Sequence, residues 1–205
     1  MSYKPILFNT EMVKAILEGR KTQTRRVMKF SVNDVYDNAC IDGRWLETYD
    51  PQNPPAHLVD WFVKDIVKKP CEPGDILWVR ETWCRDAGRY MYRANYAEDE
   101  KFYRDGKEVR LRWSPSIHMP KEAARIFLRV KDVRVERLQD MDEEAAIAEG
   151  FADSPAGTDS PLERFSALWD KTVKRDDLRE YGYHANPWVW VIEFERIEKP
   201  KGWCL

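Results

Sequence analysis

The segment 188–197 alternates regularly between two kinds of side chain, and this alternation constrains the fold more than any other feature of the chain. Trp188, Trp190, Ile192 and Phe194 occupy every second position, and valines and then glutamates stand between them. Because successive side chains of a strand point to opposite faces, the pattern predicts a β-strand with one apolar and one mixed face. Aromatic residues at this period are typical of a packed core, so we assign the tryptophans to packing rather than to base stacking.

Two earlier segments are also predicted to be strands. Residues 125–138 alternate first in one phase and then in the other, and a bulge near Lys131 and Asp132 would reconcile the two halves. Farther upstream, the turn Pro73-Gly74-Asp75 precedes the short apolar run Ile76 to Val79, which is typical of a buried strand. A chain of 205 residues is long enough to bury such strands in a core.

Three segments predict helices between these strands. The first begins with Thr10 as a candidate cap and ends at Gly19. The second begins at residues 140–147 with acidic residues in its first turn, and Glu149 lies near its end. The third opens with Ser160-Pro161-Leu162-Glu163, which has the serine, proline and glutamate of a capping box. Helices and strands together predict an α+β fold.

The run 19–26, Gly-Arg-Lys-Thr-Gln-Thr-Arg-Arg, crowds cations and hydroxyl groups directly after the first helix. A helix that ends at a glycine would place this basic turn outside regular structure. A lysine within reach of a threonine can act as a base or as an electrostatic partner to a nucleophile. The alternative is a solvated turn, since lysine and arginine normally lie at the surface.

The spacing G-R-K-T-x-T-x-R in the basic turn resembles the signature of the ASCH domain family, which are small PUA-like β-barrels, and Arg26 fills its last position. The order of the elements is similar to that of the small ASCH proteins that hydrolyse N4-acetylcytidine. The chain also resembles longer ASCH-like proteins of phages and prophages. The resemblance implies a mixed β-barrel with flanking helices. Segments of about 30–69 and 84–121 do not match, and we interpret them as two long insertions into a single domain spanning 1–205.

The resemblance also implies an activity and its catalytic residues. In the amidohydrolases the catalytic set is a lysine and a threonine of the basic turn with a glutamate of the later helix, and these match Lys21, Thr24 and Glu149. A partly desolvated Lys21 would have a lowered pKa and would serve as base toward Thr24, or toward a water held by Thr24. Glu149 would pass the proton to the leaving amine. Taken alone, Glu149 would be a solvated carboxylate at a helix end.

Further polar and aromatic residues are candidates for substrate binding. Cations near the reacting group can hold a phosphate or the tetrahedral oxyanion. Residues at the end of the strand 76–79 can face a ligand or form ion pairs at the rim, and a histidine between prolines can enter a pocket or lie in a rigid surface turn. The candidates are Arg20, Thr22, Arg25, Arg26, Arg80, Glu81, Trp83 and His118.

Composition narrows the classes of partner and site. The net charge of -2 argues against a surface coated with nucleic acid, so phosphate binding is expected only at the basic turn. The four cysteines and three histidines are widely scattered, so we expect no metal site and no cofactor. The N-terminus lacks the apolar core of a signal peptide and no segment resembles a membrane span, so we expect a cytoplasmic protein.

Two other functions compete with amide hydrolysis. PUA-like barrels commonly hold RNA or a modified base without altering it, and Trp83 or Tyr92 would then stack a base while the basic turn contacts phosphate. A ribonuclease would use the same cations to stabilise a phosphorane. In all three readings the partner is a nucleoside, a nucleotide or RNA.

Overall fold

The computed structural model describes residues 1–28, 69–151 and 159–203, and within them the main element is a five-stranded mixed sheet. The five strands are β1 (Tyr3–Leu7), β2 (Gln23–Val27), β3 (Ile76–Arg80), β8 (Phe127–Arg137) and β9 (Trp188–Ile197). Their order in the sheet is β1-β3-β8-β9-β2. The first pair, β1 and β3, is parallel, and the other neighbours are antiparallel.

The long central pair β8–β9 contains the predicted bulge. Its register shifts between Val130 and Asp132, so Lys131 is the extra residue on β8. Because one inserted residue reverses the side-chain phase, the apolar positions after the bulge return to the same face as those before it. Val130 is buried, and Val133 and Val135 pack against the same cluster. The predicted bulge is confirmed.

Within the described residues, four helices lie around the sheet: α1 (Thr10–Leu17), α2 (Glu143–Ala148), α3 (Pro161–Thr172) and α4 (Leu178–Tyr181). The cap of α1 is Asn9 rather than the predicted Thr10, since the Asn9 side chain accepts a hydrogen bond from the Met12 amide. Ser160 and Glu163 form both bonds of the predicted capping box. The second predicted helix begins after its cap residue, Asp142.

Helices cover the sheet through two apolar clusters. Val13 and Ile16 of α1 pack in one cluster with Trp190 and Phe194. In the other cluster, helices α2 and α3 pack against Val189 and Val191 of β9. Both faces of β9 are therefore buried along its first half, and the assignment of its aromatic residues to packing is confirmed.

The segment that was interpreted as the second insertion forms two small hairpins. One pairs β4 (Trp83–Asp86) with β5 (Arg89–Tyr92), and the other pairs β6 (Phe102–Arg104) with β7 (Lys107–Val109). The first interpreted insertion lies outside the described residues except for its end at Lys69. The arrangement as a single domain with two insertions remains a prediction.

The α+β class is confirmed, and within the described ranges the sheet does not close into a barrel. Strands β1 and β2 are its two edges. A side chain bridges them, because Arg26 of β2 donates from Nη2 to the Leu7 carbonyl of β1 at 2.9 Å. We call this junction between the two edge strands the seam. No helix within the described residues is long and apolar enough to span a membrane.

Candidate functional site

A cavity of about 610 Å³ lies at the seam. Its volume falls within the range of about 300–1,000 Å³ that is usual for small-molecule sites. One wall is polar and comes from the basic turn and β2, and another is apolar and comes mainly from α3. Its lining includes Phe8, Lys21, Thr24, Arg25, Arg26, Glu149, Phe165 and Trp169.

Lys21 and Glu149 form a buried ion pair in this cavity. The Lys21 Nζ lies 2.6 Å from Glu149 Oε2 and donates a second bond, of 2.8 Å, to the Glu149 backbone carbonyl. The two side chains are only 1% and 5% exposed. Glu149 is therefore not the solvated carboxylate that its place at a helix end would favour.

Local backbone geometry brings these two residues together. The backbone amides of Arg20 and Lys21 both bond to the Ala15 carbonyl after α1 ends. Gly150 follows Glu149 with φ +104°, and a Cβ placed there would lie 2.9 Å from the Ala15 Cβ and 3.2 Å from the Lys21 Cβ. Only glycine allows both this backbone conformation and this close approach.

Burial lowers the pKa of Lys21 below its ordinary value, because an ammonium ion loses its hydration inside the protein. The carboxylate of Glu149 opposes this lowering, whereas the neighbouring cations Arg26 and Arg25 add to it. The net direction is downward. A lysine with a lowered pKa is more readily available as a neutral base.

Thr24 lies in β2, opposite Ile192 of β9, and is 1% exposed. The basic turn is therefore regular strand from Gln23 onward, which differs from the expected irregular turn. The Thr24 hydroxyl oxygen accepts a 2.9 Å bond from Arg26 Nη1. Among the described residues, Thr24 and Lys21 are not hydrogen-bonded to each other, although both line the same cavity.

Arg25 is a second buried cation of the cavity, with a side chain only 1% exposed. Its guanidinium lies 3.3 Å from Glu149 Oε1 and 3.1 Å from Glu136 Oε2. Glu149 is therefore shared between Lys21 and Arg25. This sharing connects residues from β2, β8 and the end of α2.

Phe8, which lines the cavity, and Glu136, which pairs with Arg25 from outside it, are not among the residues predicted from the sequence. The Phe8 ring lies 5.5 Å from Lys21 Nζ and 5.2 Å from Arg26 Cζ, which is within the range of a cation–π contact. Phe8 directly precedes the Asn9 cap, so its place at the start of a helix was a usable signal. Glu136 is one polar residue of an alternating strand, and nothing in the sequence around it indicates that it pairs with Arg25.

Six of the predicted binding residues do not line this cavity. Arg20 pairs with Glu18 and with the Gly150 carbonyl, and the Thr22 side chain is exposed. Glu81 is buried in an ion pair with Arg125, at 2.8 Å for each oxygen. The others are Arg80, which bonds to backbone carbonyls, Trp83, which packs on Tyr90, and His118, which is exposed.

The described residues therefore bring together Lys21, Thr24, Arg25, Arg26 and Glu149 and leave the other predicted residues elsewhere. For Glu81, the structure has the alternative that the sequence analysis left open, an ion pair at the end of the strand rather than contact with a ligand. Among the described residues, no group of His, Cys, Asp or Glu is arranged to hold a metal ion.

No protein-family model matches the chain, and no curated protein matches it. Solved structures are similar to it, and they include the following three. Protein EF3133 from Enterococcus faecalis V583, described with the family model DUF984, is 11% identical over 96% of this chain and 76% of that one, with a TM-score of 0.42. The hypothetical protein PH0355 is 14% identical over 96% of this chain and 100% of that one, with a TM-score of 0.38.

The third structure is an ASCH domain from Lactobacillus crispatus JV V101. It is 12% identical over 97% of this chain and 81% of that one, with a TM-score of 0.42. Similarity of this degree carries no assignment of activity or ligand.

Proposed function

We propose that this protein is an amidohydrolase that removes the acyl group from an N4-acylated cytidine nucleoside or a related modified base. The observation that carries the proposal is the meeting of Lys21, Thr24 and Glu149 at one cavity, with Lys21 and Glu149 2.6 Å apart. A buried lysine, a hydroxyl and a carboxylate supply the base, the positioning group and the proton carrier that amide hydrolysis needs.

In the proposed reaction, neutral Lys21 removes a proton from a water molecule, and the water oxygen attacks the carbonyl carbon of the acyl group. The tetrahedral intermediate then loses its C–N bond. Glu149, which bonds to Lys21, passes the proton to the leaving amine. The products are a carboxylic acid and the free cytosine amine, so atoms and charge balance.

Attack by water fits the geometry better than attack by Thr24 itself. The Thr24 hydroxyl oxygen accepts a bond from Arg26, and no described bond joins it to Lys21. Its own hydrogen remains available to orient the water or the substrate carbonyl. Arg26 lines the cavity beside Thr24, and in the proposed reaction its guanidinium would stabilise the oxyanion of the intermediate.

A second candidate is a module that binds a modified base or RNA without altering it. The observation that favours it is that Lys21 already donates to the carboxylate and the backbone carbonyl of Glu149. In such a module, these two bonds would give Lys21 the structural role of fixing the loop after α2. Such a module tolerates Lys21→Arg, whereas a neutral lysine base does not, because a guanidinium stays protonated.

The test is release of cytidine from N4-acetylcytidine, followed by chromatography, for the wild type, Thr24→Val and Glu149→Gln. Thr22→Val is the matched control, because Thr22 is exposed and lies off the cavity. We expect turnover by the wild type and the control and at least a 100-fold loss in the other two variants, in line with the usual contribution of acid–base groups. Absence of turnover in the wild type, together with tight retention of the intact nucleoside, would favour the binding module.

A further inference from the structure

Charged side chains of alternating sign run from the cavity to the surface of the sheet. Lys21 pairs with Glu149, Glu149 with Arg25, and Arg25 with Glu136. Glu136 also accepts a bond of 2.5 Å from Nε of Arg134. The side chains of Lys21, Glu149 and Arg25 are 1–5% exposed. Those of Glu136 and Arg134, at the other end, are 24% and 36% exposed.

Arg25 is the link between the two halves of this series. Its side chain is 1% exposed, so it cannot exchange a lost carboxylate partner for water without moving. It divides its positive charge between Glu149 at 3.3 Å and Glu136 at 3.1 Å. If Glu136 loses its charge, Glu149 alone must neutralise both Arg25 and Lys21.

We propose that Glu136 is a positioning residue which, acting through Arg25, determines how firmly Glu149 holds Lys21. Glu136 does not line the cavity, so it acts without touching a ligand. A consequence for catalysis rests on the proposed function. The effect of Glu136 on the protonation of Lys21 does not, because it follows from the charges alone.

The direction of the effect follows from the signs of the charges. Removing the negative charge of Glu136 leaves two buried cations to share one carboxylate, which disfavours the ammonium form of Lys21. Removing the positive charge of Arg134 leaves Glu136 less neutralised, which favours that form. In the part of the chain that the structure describes, the other charged or titratable groups that face these residues are Arg26 on β2, Asp132 on β8, Glu193 on β9, and Lys174, Asp177 and Tyr181 at the cavity.

The test is an NMR titration of the protein labelled with ¹³C at the lysine ε-carbon, because the shift of this carbon reports protonation without any turnover. The Lys21 signal is assigned by its loss in Lys21→Arg. We expect Glu136→Gln to lower the pKa of Lys21 by on the order of 1 unit, and Arg134→Gln to raise it by a smaller amount. Glu136→Asp keeps the charge and should restore most of the wild-type value.

Glu195→Gln is the matched control, because Glu195 of β9 pairs with Arg129 of β8 at an exposed site of the same sheet. It should leave the Lys21 titration unchanged. Opposite shifts in Glu136→Gln and Arg134→Gln would support the proposal, and equal or absent shifts would overturn it. If the protein is an amidohydrolase, the acid limb of the pH profile of kcat/KM moves with the Lys21 titration. If the protein has no such activity, the NMR titration by itself still tests the role of Glu136.

Discussion

Lys21 and Glu149 are separated by 128 positions in the sequence, yet their side chains meet at 2.6 Å in the interior. The pair lies beside Thr24 at the seam between the two edge strands. A buried charge is costly unless it is paired, so each of the two residues compensates the buried charge of the other. The close packing of the loop after α2 against the basic turn therefore matters for both stability and chemistry.

Gly150→Ala should separate this pair. The substitution places a methyl group 2.9 Å from the Ala15 Cβ and forces alanine to adopt φ +104°. We expect a loss of about 2–4 kcal/mol in the free energy of unfolding, with a clear loss of cytidine release. Urea denaturation and the turnover assay measure the two effects.

The matched control is Gly106→Ala, because Gly106 also has positive φ but its Cβ would meet nothing within 4 Å. It should cost only about 1 kcal/mol and leave activity intact. Equal losses of stability and activity in the two variants would show that the close approach between Gly150 and Lys21 contributes to neither.

The activity should depend on pH through Lys21. Because burial lowers the pKa of Lys21, the neutral base becomes populated below the ordinary lysine value of about 10.4. We expect kcat/KM to fall as pH drops through this lowered pKa and to level off above it. A profile measured from pH 6 to 10 that stays flat would contradict a neutral lysine base.

Glu81→Gln should weaken the fold without impairing the site. Glu81 is 1% exposed and bonds through both oxygens to Arg125, and neither residue lines the cavity. Breaking this pair should cost about 1–3 kcal/mol, measured by urea denaturation, while kcat/KM at 25 °C stays within about twofold of wild type.

Glu195→Gln serves as its control, since the exposed pair with Arg129 should contribute less than about 1 kcal/mol. A large loss of kcat/KM in folded Glu81→Gln would restore Glu81 as a substrate-binding residue.

The sequence predicts those helices and strands that are determined by residues close together in the chain. The bounds of β9, the bulge at Lys131 and the capping box at Ser160 each depend on residues within a few positions of one another. Strand β2 was missed, because its sequence is polar and its burial comes from pairing with β9. Tertiary context overrides local preference in such a strand.

The candidate site was predictable only as far as the motif reached. The motif and the family resemblance indicated Lys21, Thr24 and Glu149, which do line one cavity. The partnership of Arg25 with Glu136 could not be predicted, since it joins two strands that are not adjacent in the sheet. Such a contact depends on side-chain reach across β9, for which the sequence has no periodic signal.

The most direct test of the central claim is cytidine release from N4-acetylcytidine by the wild type, Lys21→Arg and Lys14→Arg, with folding checked by thermal unfolding. Lys14 is a lysine of α1 that pairs with Glu11 at the surface and lies off the cavity. We expect turnover by the wild type and Lys14→Arg, and a loss of at least about 100-fold in folded Lys21→Arg. Turnover by Lys21→Arg equal to that of the wild type would contradict a neutral lysine base.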